Sequence, residues 1–266
     1  MNRPLALVTG ASSGIGAVFA KRLAAMGYDL ALVARRRDRL ERHARELSGL
    51  YGVAAEAVVA DLTNDEDLTR VADVLRTNEN LAFLVNNAGF GTLGFFFDID
   101  FESQRQMHKL HVMAAMTLTH AALSGMVARG KGSIVNVSSL AAFSIGLGSV
   151  SYCATKAWMN SFTEGIYLEL QRAGSPVRIQ ALCPGFTYSE FHDVVGMDRN
   201  RIPKSFWMTS EFVVDRSLRG IGRNEAVVIP GWRYSLLTPV LRIMPLSWRR
   251  AMGLRSGRAM GRDQRP

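Results

Sequence analysis

The sequence predicts an α/β protein: a single doubly wound domain with a seven-stranded, mostly parallel sheet and helices on both faces. Two observations carry this expectation. Short apolar runs alternate along the chain with longer stretches of helical periodicity, as in parallel strands joined by crossover helices. The first apolar run ends in a turn of small residues, Thr9-Gly10-Ala11-Ser12-Ser13-Gly14-Ile15-Gly16, which opens the first helical stretch. The composition agrees. With 266 residues, 48% of them hydrophobic, 24 Gly and 8 Pro, the chain can bury one large core, and no linker or repeat divides it.

Strands are expected at Leu5–Thr9, 30–34, Ala55–Val59, 83–86, Ser133–Val137, Arg178–Leu182 and 226–229. They read as continuous apolar runs, which suits strands covered on both faces. Helices are expected near 14–26, 37–49, 65–77, 102–129 and 151–173. Right-handed crossovers then wind the sheet both ways, and such sheets bind ligands beyond the carboxyl ends of their strands.

The turn after the first strand has the spacing G-x-x-x-G-x-G at Gly10, Gly14 and Gly16. With Ser12, Ser13 and Ile15 it lets backbone amides approach a pyrophosphate at a helix N-terminus. The second strand ends in Ala34-Arg35-Arg36-Arg37, with no acid before Asp38. In dinucleotide folds an acid at this tip holds the ribose of NAD, whereas arginine suits the 2′-phosphate of NADP. NADP(H) is therefore preferred over NAD(H), with Arg35 the first choice and Arg36 the second. Arg37 and Arg39 read as the solvated start of a helix. Asp61, with Leu62 beside it, follows the third strand and either reaches the adenine or caps a nearby helix.

Tyr152 and Lys156 lie four residues apart, so they share one face of a helix. A neighbouring ammonium favours the phenolate, and a phenol tuned downward can exchange a proton with a substrate oxygen at neutral pH. Ser139, thirteen residues before Tyr152, can hold that oxygen from a neighbouring loop. Ser138 points away from Ser139 on an extended segment.

Together these segments resemble the short-chain dehydrogenases/reductases, over nearly all of the chain up to about residue 230. Residues Thr9 to Gly16 look like the family's cofactor turn. Asn86-Asn87-Ala88-Gly89 looks like its Asn-Asn-Ala-Gly motif. Ser139, Tyr152 and Lys156 fall at its catalytic positions. Cys183-Pro184-Gly185 resembles its Pro-Gly turn, with Thr187 and Ser189 where members contact the nicotinamide carboxamide.

The resemblance implies a Rossmann-type fold and NADP-dependent hydride transfer to or from a carbonyl/alcohol pair. Tyr152 would be the general acid or base, Lys156 would bind the ribose hydroxyls and Ser139 would orient the carbonyl. The family's relay asparagine is matched here by His111, and no Asn occurs between Gly91 and Gly132. Either His111 substitutes as a polar relay, which is the reading favoured here, or it is a core histidine. The second choice leaves room for an alternative function, a non-catalytic NADP-binding sensor or scaffold.

Residues expected on the substrate side are apolar: Phe90, Leu93, Phe95 to Phe97, Phe143, Leu147, Phe186, Tyr188, Phe191 and Trp207. His192 is a further candidate, and the segment from Phe186 to Trp207 matches the family's substrate lid. A hydrophobic substrate follows. Homodimers or homotetramers are what the resemblance implies.

Cys153 and Cys183 offer neither a disulfide framework nor metal spacing, so no metal is expected. A cytoplasmic location, no signal peptide and no span across a bilayer are expected as well. The net charge is +9, and residues 231–266 carry +7 of it through eight arginines against Asp263. Read as a C-terminal extension to a catalytic domain at 1–230, that segment is a cover over the pocket, an oligomer surface or a peripheral membrane contact. Nucleic acid is not expected, for no recognised motif accompanies the charge. Pro239 and Pro245 are expected to break its helix.

Overall fold

The computed structural model describes residues 3–191, 195–196 and 198–259. Seven strands form one sheet: β1 Leu5–Thr9, β2 Asp29–Ala34, β3 Ala55–Val59, β4 Leu81–Asn86, β5 Ser133–Val137, β6 Arg178–Leu182 and β7 Val227–Val228. Their order is β3-β2-β1-β4-β5-β6-β7, and every pairing among them is parallel rather than mostly so. The carboxyl ends therefore share one edge. The winding reverses between β1 and β4, which opens a crevice at the end of those two strands.

Each strand faces two cores, as a period of two requires. On β1, Ala6 and Val8 pack with Phe19 and Leu23 of helix α1 (Gly14–Ala25) and Leu40 of α2 (Arg37–Tyr51). Leu7 joins the opposite core, with Val71 of α3 (Asp65–Thr77), Leu118 and Leu170. Burying a Leu or Phe fully contributes about 1.5–3 kcal/mol each, so both layers hold the sheet flat against their helices.

The expected helix over 102–129 is present but interrupted. It runs as α4 (Phe101–His108), a π-helical turn (Lys109–Ala114) and α5 (Ala115–Ala128). A π turn widens the helix by one residue, and this one carries His111. By length and composition the span Phe101–Ala128 is apolar enough to cross a bilayer, contrary to the sequence expectation. Its buried Met107, Ala114, Leu118, Ala122 and Met126 instead face the protein core.

The catalytic candidates follow on α6 (Val150–Arg172). Helix α7 (Ser210–Gly222) was not expected; Thr209 caps it by accepting from the Phe212 amide. The tail forms α8 (Trp232–Ile243) and α9 (Leu246–Ala259). Only Pro245 separates the two, because Pro239 sits inside α8. A proline there removes a single amide donor, and Thr238 Oγ1 donates to the neighbouring Tyr234 carbonyl at 2.8 Å.

Candidate active site

The first wall of the crevice is the turn between β1 and α1. Gly10 and Gly14 have positive φ, +65° and +55°. A Cβ on Gly10 would meet Asn87 Nδ2 at 2.7 Å, and one on Gly16 would meet the Gly10 carbonyl oxygen at 2.3 Å. The turn can therefore lie flat only as glycine. Thr9 and Asn87 fix it from behind. Thr9 Oγ1 accepts from the Asn87 and Ala88 amides, and Asn87 Nδ2 donates to the carbonyls of Thr9 and Gly10.

Ser13 does not cap α1 with its side chain. The amides of that first turn thus face the crevice with the positive end of the helix dipole. Small residues, open amides and a cradle that a Cβ would fill fit the diphosphate of a dinucleotide.

The residues of the Asn-Asn-Ala-Gly segment divide. Asn86 is buried, donating to Thr119 Oγ1 at 3.0 Å and Asn136 Oδ1 at 2.8 Å, so its side chain belongs to the core. Ala88 and Gly89 form the wall. Leu62 is likewise buried in a hydrophobic cluster. Asp61 accepts from Thr63 N at 3.0 Å and Thr63 Oγ1 at 2.8 Å, and it is Asn64 that caps α3.

At the second-strand tip, Arg35 leans on Asp61 at 3.7 Å and is mostly exposed. Arg36 arches over the glycine turn and donates at 3.0 Å to both Ser12 Oγ and Ser13 Oγ. Glu190, from the segment after β6, accepts from Arg36 at 2.8 Å and from Arg39 at 2.7 Å. The Arg36 bond, helped by Arg39, holds its carboxyl below the usual range against the burial that would raise it. Glu190 thus sits where an anion on Arg36 would sit.

Deeper in, Ser139 follows β5 and accepts from the Ala141 amide at 3.1 Å. A hydroxyl that accepts keeps its hydrogen to donate. Ser138 is buried and donates to the Lys156 carbonyl, which confirms its separate, structural direction. Lys156 is buried, and its Nζ donates to the Val137 carbonyl at 2.8 Å. Nζ lies 5.8 Å from the centroid of the Tyr152 ring. Burial brings the ammonium down to about 8. The Pro184 carbonyl accepts from the Leu140 amide, tying the turn after β6 to the Ser139 loop. Beyond it, Thr187 is buried and donates to Gly185, and Ser189 Cβ lies 3.1 Å from where a Cβ on Gly14 would stand. One edge thus collects the glycine turn, Ser139, Tyr152, Lys156, Thr187 and Ser189.

His111 sits behind Tyr152, fully buried, with ring centroids 5.8 Å apart. The Phe90 amide donates to its Nε2 at 3.2 Å, so Nδ1 carries the hydrogen and donates to Thr155 Oγ1 at 3.0 Å. Thr155 in turn donates to the Tyr152 carbonyl. Burial, and then the charge of Lys156, push the imidazole well below its ordinary value. With both nitrogens engaged and its charge disfavoured, the ring ties three segments together at the position where the sequence favoured a proton relay. Gly89 makes room for it, since a Cβ there would meet Nε2 at 2.7 Å. Thr155 and Glu190 were missed from sequence. Only tertiary packing brings them to His111 and Arg36.

The side where the sequence placed the substrate is aromatic, and α8 and α9 pack against it. Phe191 packs on Tyr152 with centroids 5.6 Å apart, and Tyr188 stacks on Trp207 at 4.9 Å. Tyr234 of α8 lies over Gly185, where a Cβ would come within 2.4 Å of its ring, and its hydroxyl donates to Phe206. Gly253 of α9 abuts the Ile145 carbonyl, and Arg249 donates to Phe143. His192 lies outside the described residues.

The short chain dehydrogenase family profile matches residues 4–200 of this chain. A short-chain dehydrogenase from Sphingobium yanoikuyae, solved in complex with NADPH, is 36% identical; the match covers 96% of this chain and 94% of that one, with a TM-score of 0.81. The bulky-bulky ketone specific alcohol dehydrogenase from Comamonas testosteroni is 33% identical, covering 97% and 94%, with a TM-score of 0.78. The very-long-chain 3-oxoacyl-CoA reductase of Anas platyrhynchos is 30% identical over 252 residues, 91% of this chain and 78% of that protein.

Proposed function

Because the chain belongs to the short-chain dehydrogenase/reductase family of NAD(P)-dependent oxidoreductases, we propose that it transfers a hydride between NADP(H) and a lipophilic ketone/alcohol pair. One observation carries the mechanism: a buried ammonium, fixed on the Val137 carbonyl, faces the Tyr152 ring from 5.8 Å. At neutral pH Lys156 keeps most of its charge, and that charge favours the phenolate. Tyr152 gives its proton to the substrate oxygen in reduction and takes it back in oxidation. Ser139 holds the same oxygen in line. His111, through Thr155, positions Tyr152 without exchanging the proton itself.

The nicotinamide supplies the hydride when bound. Gly10, Ser12, Ser13, Gly14, Ile15 and Gly16 would hold its diphosphate. Arg36 and Arg35 would hold the 2′-phosphate, with Glu190 giving way. Asp61 and Leu62 would lie at the adenine side, and Ala88 and Gly89 would line the wall that Asn86 and Asn87 brace. Pro184, Gly185, Thr187 and Ser189 would lie at the carboxamide end, and Lys156 would also reach the ribose.

The rings of Phe191, Tyr188 and Trp207 support a bulky apolar substrate, in keeping with the ketone and acyl substrates in the names of the two relatives. A homodimer or homotetramer belongs to this reading.

A carbonyl panel followed by cofactor absorbance tests it. Bulky aryl ketones should be reduced with NADPH, and charged 2-oxo acids should not. Turnover restricted to charged substrates would contradict the substrate class. A preference for NADH would contradict the roles of Arg35 and Arg36.

A further inference from the structure

We propose that α8 and α9 form a docking face for an anionic lipid surface, set around the mouth of the substrate side. Helix α8 is apolar on two opposite faces. Tyr234, Thr238 and Leu241 are buried against the domain. Opposite them Trp232, Leu236, Val240 and Ile243 fall within an arc of about 80°, at roughly 100° per residue. They stand exposed, Trp232 at 69%, Leu236 at 67%, Val240 at 49% and Ile243 at 84%. Leu246 and Trp248 of α9 are exposed as well, at 50% and 68%, on opposite sides of that helix. A contiguous exposed apolar face marks a binding surface rather than ordinary exposure.

Charge selects the occupant. No acidic residue occurs from Gly231 to Arg262, and Arg233, Arg250 and Arg255 are exposed among these side chains. Tryptophan and leucine interleaved with arginine is the composition of a helix lying in a lipid interface. Each basic residue near an anionic leaflet adds electrostatic attraction that salt screens. A second copy of this chain would bring the same net charge of +7 against itself. Elsewhere the exposed Phe97 and Phe101 sit among Asp98, Asp100 and Glu102, which an anionic surface repels.

The placement has a consequence. The same two helices touch Gly185, Phe206, Phe143 and Ile145, so a docked face brings the substrate side against the bilayer. A lipophilic ketone would then enter from the membrane. That consequence rests on the proposed function; the docking itself does not.

Co-sedimentation of the full-length protein with phosphatidylcholine vesicles, with and without phosphatidylserine, tests the docking. Binding to the phosphatidylserine vesicles should be at least about tenfold stronger and should weaken as salt rises. The double variant Leu236→Asp, Ile243→Asp should lose at least about tenfold of it. So should Arg250→Glu, Arg255→Glu, with turnover of a water-soluble ketone unchanged in both. Equal binding to both vesicles, or variants that bind like wild type, would overturn the proposal. So would a dimer that Leu236→Asp, Ile243→Asp dissolves while vesicles are ignored. If vesicle binding holds but no lipophilic ketone turns over, it is the substrate reading that fails.

Discussion

A Cβ on Gly16 would sit 2.3 Å from the backbone oxygen of Gly10, whereas one on Gly185 would sit 2.4 Å from the ring of Tyr234. The two distances match, but their consequences differ. At the cofactor end the obstacle is backbone, held by Asn87 and Thr9, and it has nowhere to move. At the substrate end the obstacle is a side chain on a helix near the end of the chain. The contrast extends outward. Side chains bonded to backbone lock the turn of the first region, while aromatic rings and two tail helices, bonded to Phe206 and Phe143, close the second. A rigid cofactor floor beneath a yielding substrate roof can keep one hydride geometry while accepting different substrates.

Substitutions at four positions probe that contrast. The largest effect belongs to Gly16→Ala. Overpacking against fixed backbone costs about 1–3 kcal/mol, so NADPH affinity measured by fluorescence titration should fall by up to about a hundredfold. An affinity near wild type would mean that the floor is not rigid.

Lys156 comes next. An unfolded lysine titrates at about 10.4, and burial brings this one down to about 8. Between those values the unfolded chain holds the extra proton, so stability rises with pH. Denaturant unfolding should show wild type gaining on Lys156→Met by up to about 1.4 kcal/mol per pH unit in that window, with no gain below it. Parallel profiles would mean that the ammonium is not buried in solution.

His111→Ala should lower kcat about tenfold, through a displaced Tyr152, and His111→Asn should restore most of it. Since the imidazole is neutral, the wild-type kcat should show no step from His111 between pH 6 and 8. Such a step, removed by His111→Asn, would return His111 to the relay. The smallest effect belongs to Gly185→Ala. The obstacle is the buried Tyr234 ring and its bond to Phe206, not the cofactor floor, so NADPH affinity should stay within about threefold, whereas KM for a bulky ketone shifts. A loss of cofactor affinity equal to that of Gly16→Ala would erase the distinction between floor and roof.

The same contrast governed what the sequence made legible. Short apolar, β-branched runs marked β1, β3, β5 and β6 to the residue, even where Glu56, Asn136 or Gln180 interrupts them. The glycine turn and the Tyr152–Lys156 pair were readable because backbone geometry and helix spacing mark those residues at those intervals, and Ser139 through the family resemblance. The π turn around His111 was not, since one extra residue in a helix leaves no mark on a single sequence. Nor was the anchoring of His111 on Thr155, which depends on how two helices pack. Arg36 rather than Arg35 over the glycine turn is a choice of side-chain direction at a strand tip, and Glu190 arrives there from far along the chain. Helix α7 carried a readable signal, Thr209 before Val213, Val214 and Ile221. Pro239 misled because its effect depends on the carbonyl it strands, and α8 tolerates that loss.

The central claim, that Tyr152 handles the proton beside a cofactor held independently of it, is tested most directly by Tyr152→Phe. NADPH affinity and ketone turnover should be measured on the same preparation. Affinity should stay within about threefold, and kcat should fall by about 10²–10⁴, the span of general acid–base catalysis. Turnover that survives the loss of the phenol, with the cofactor still bound, would contradict it.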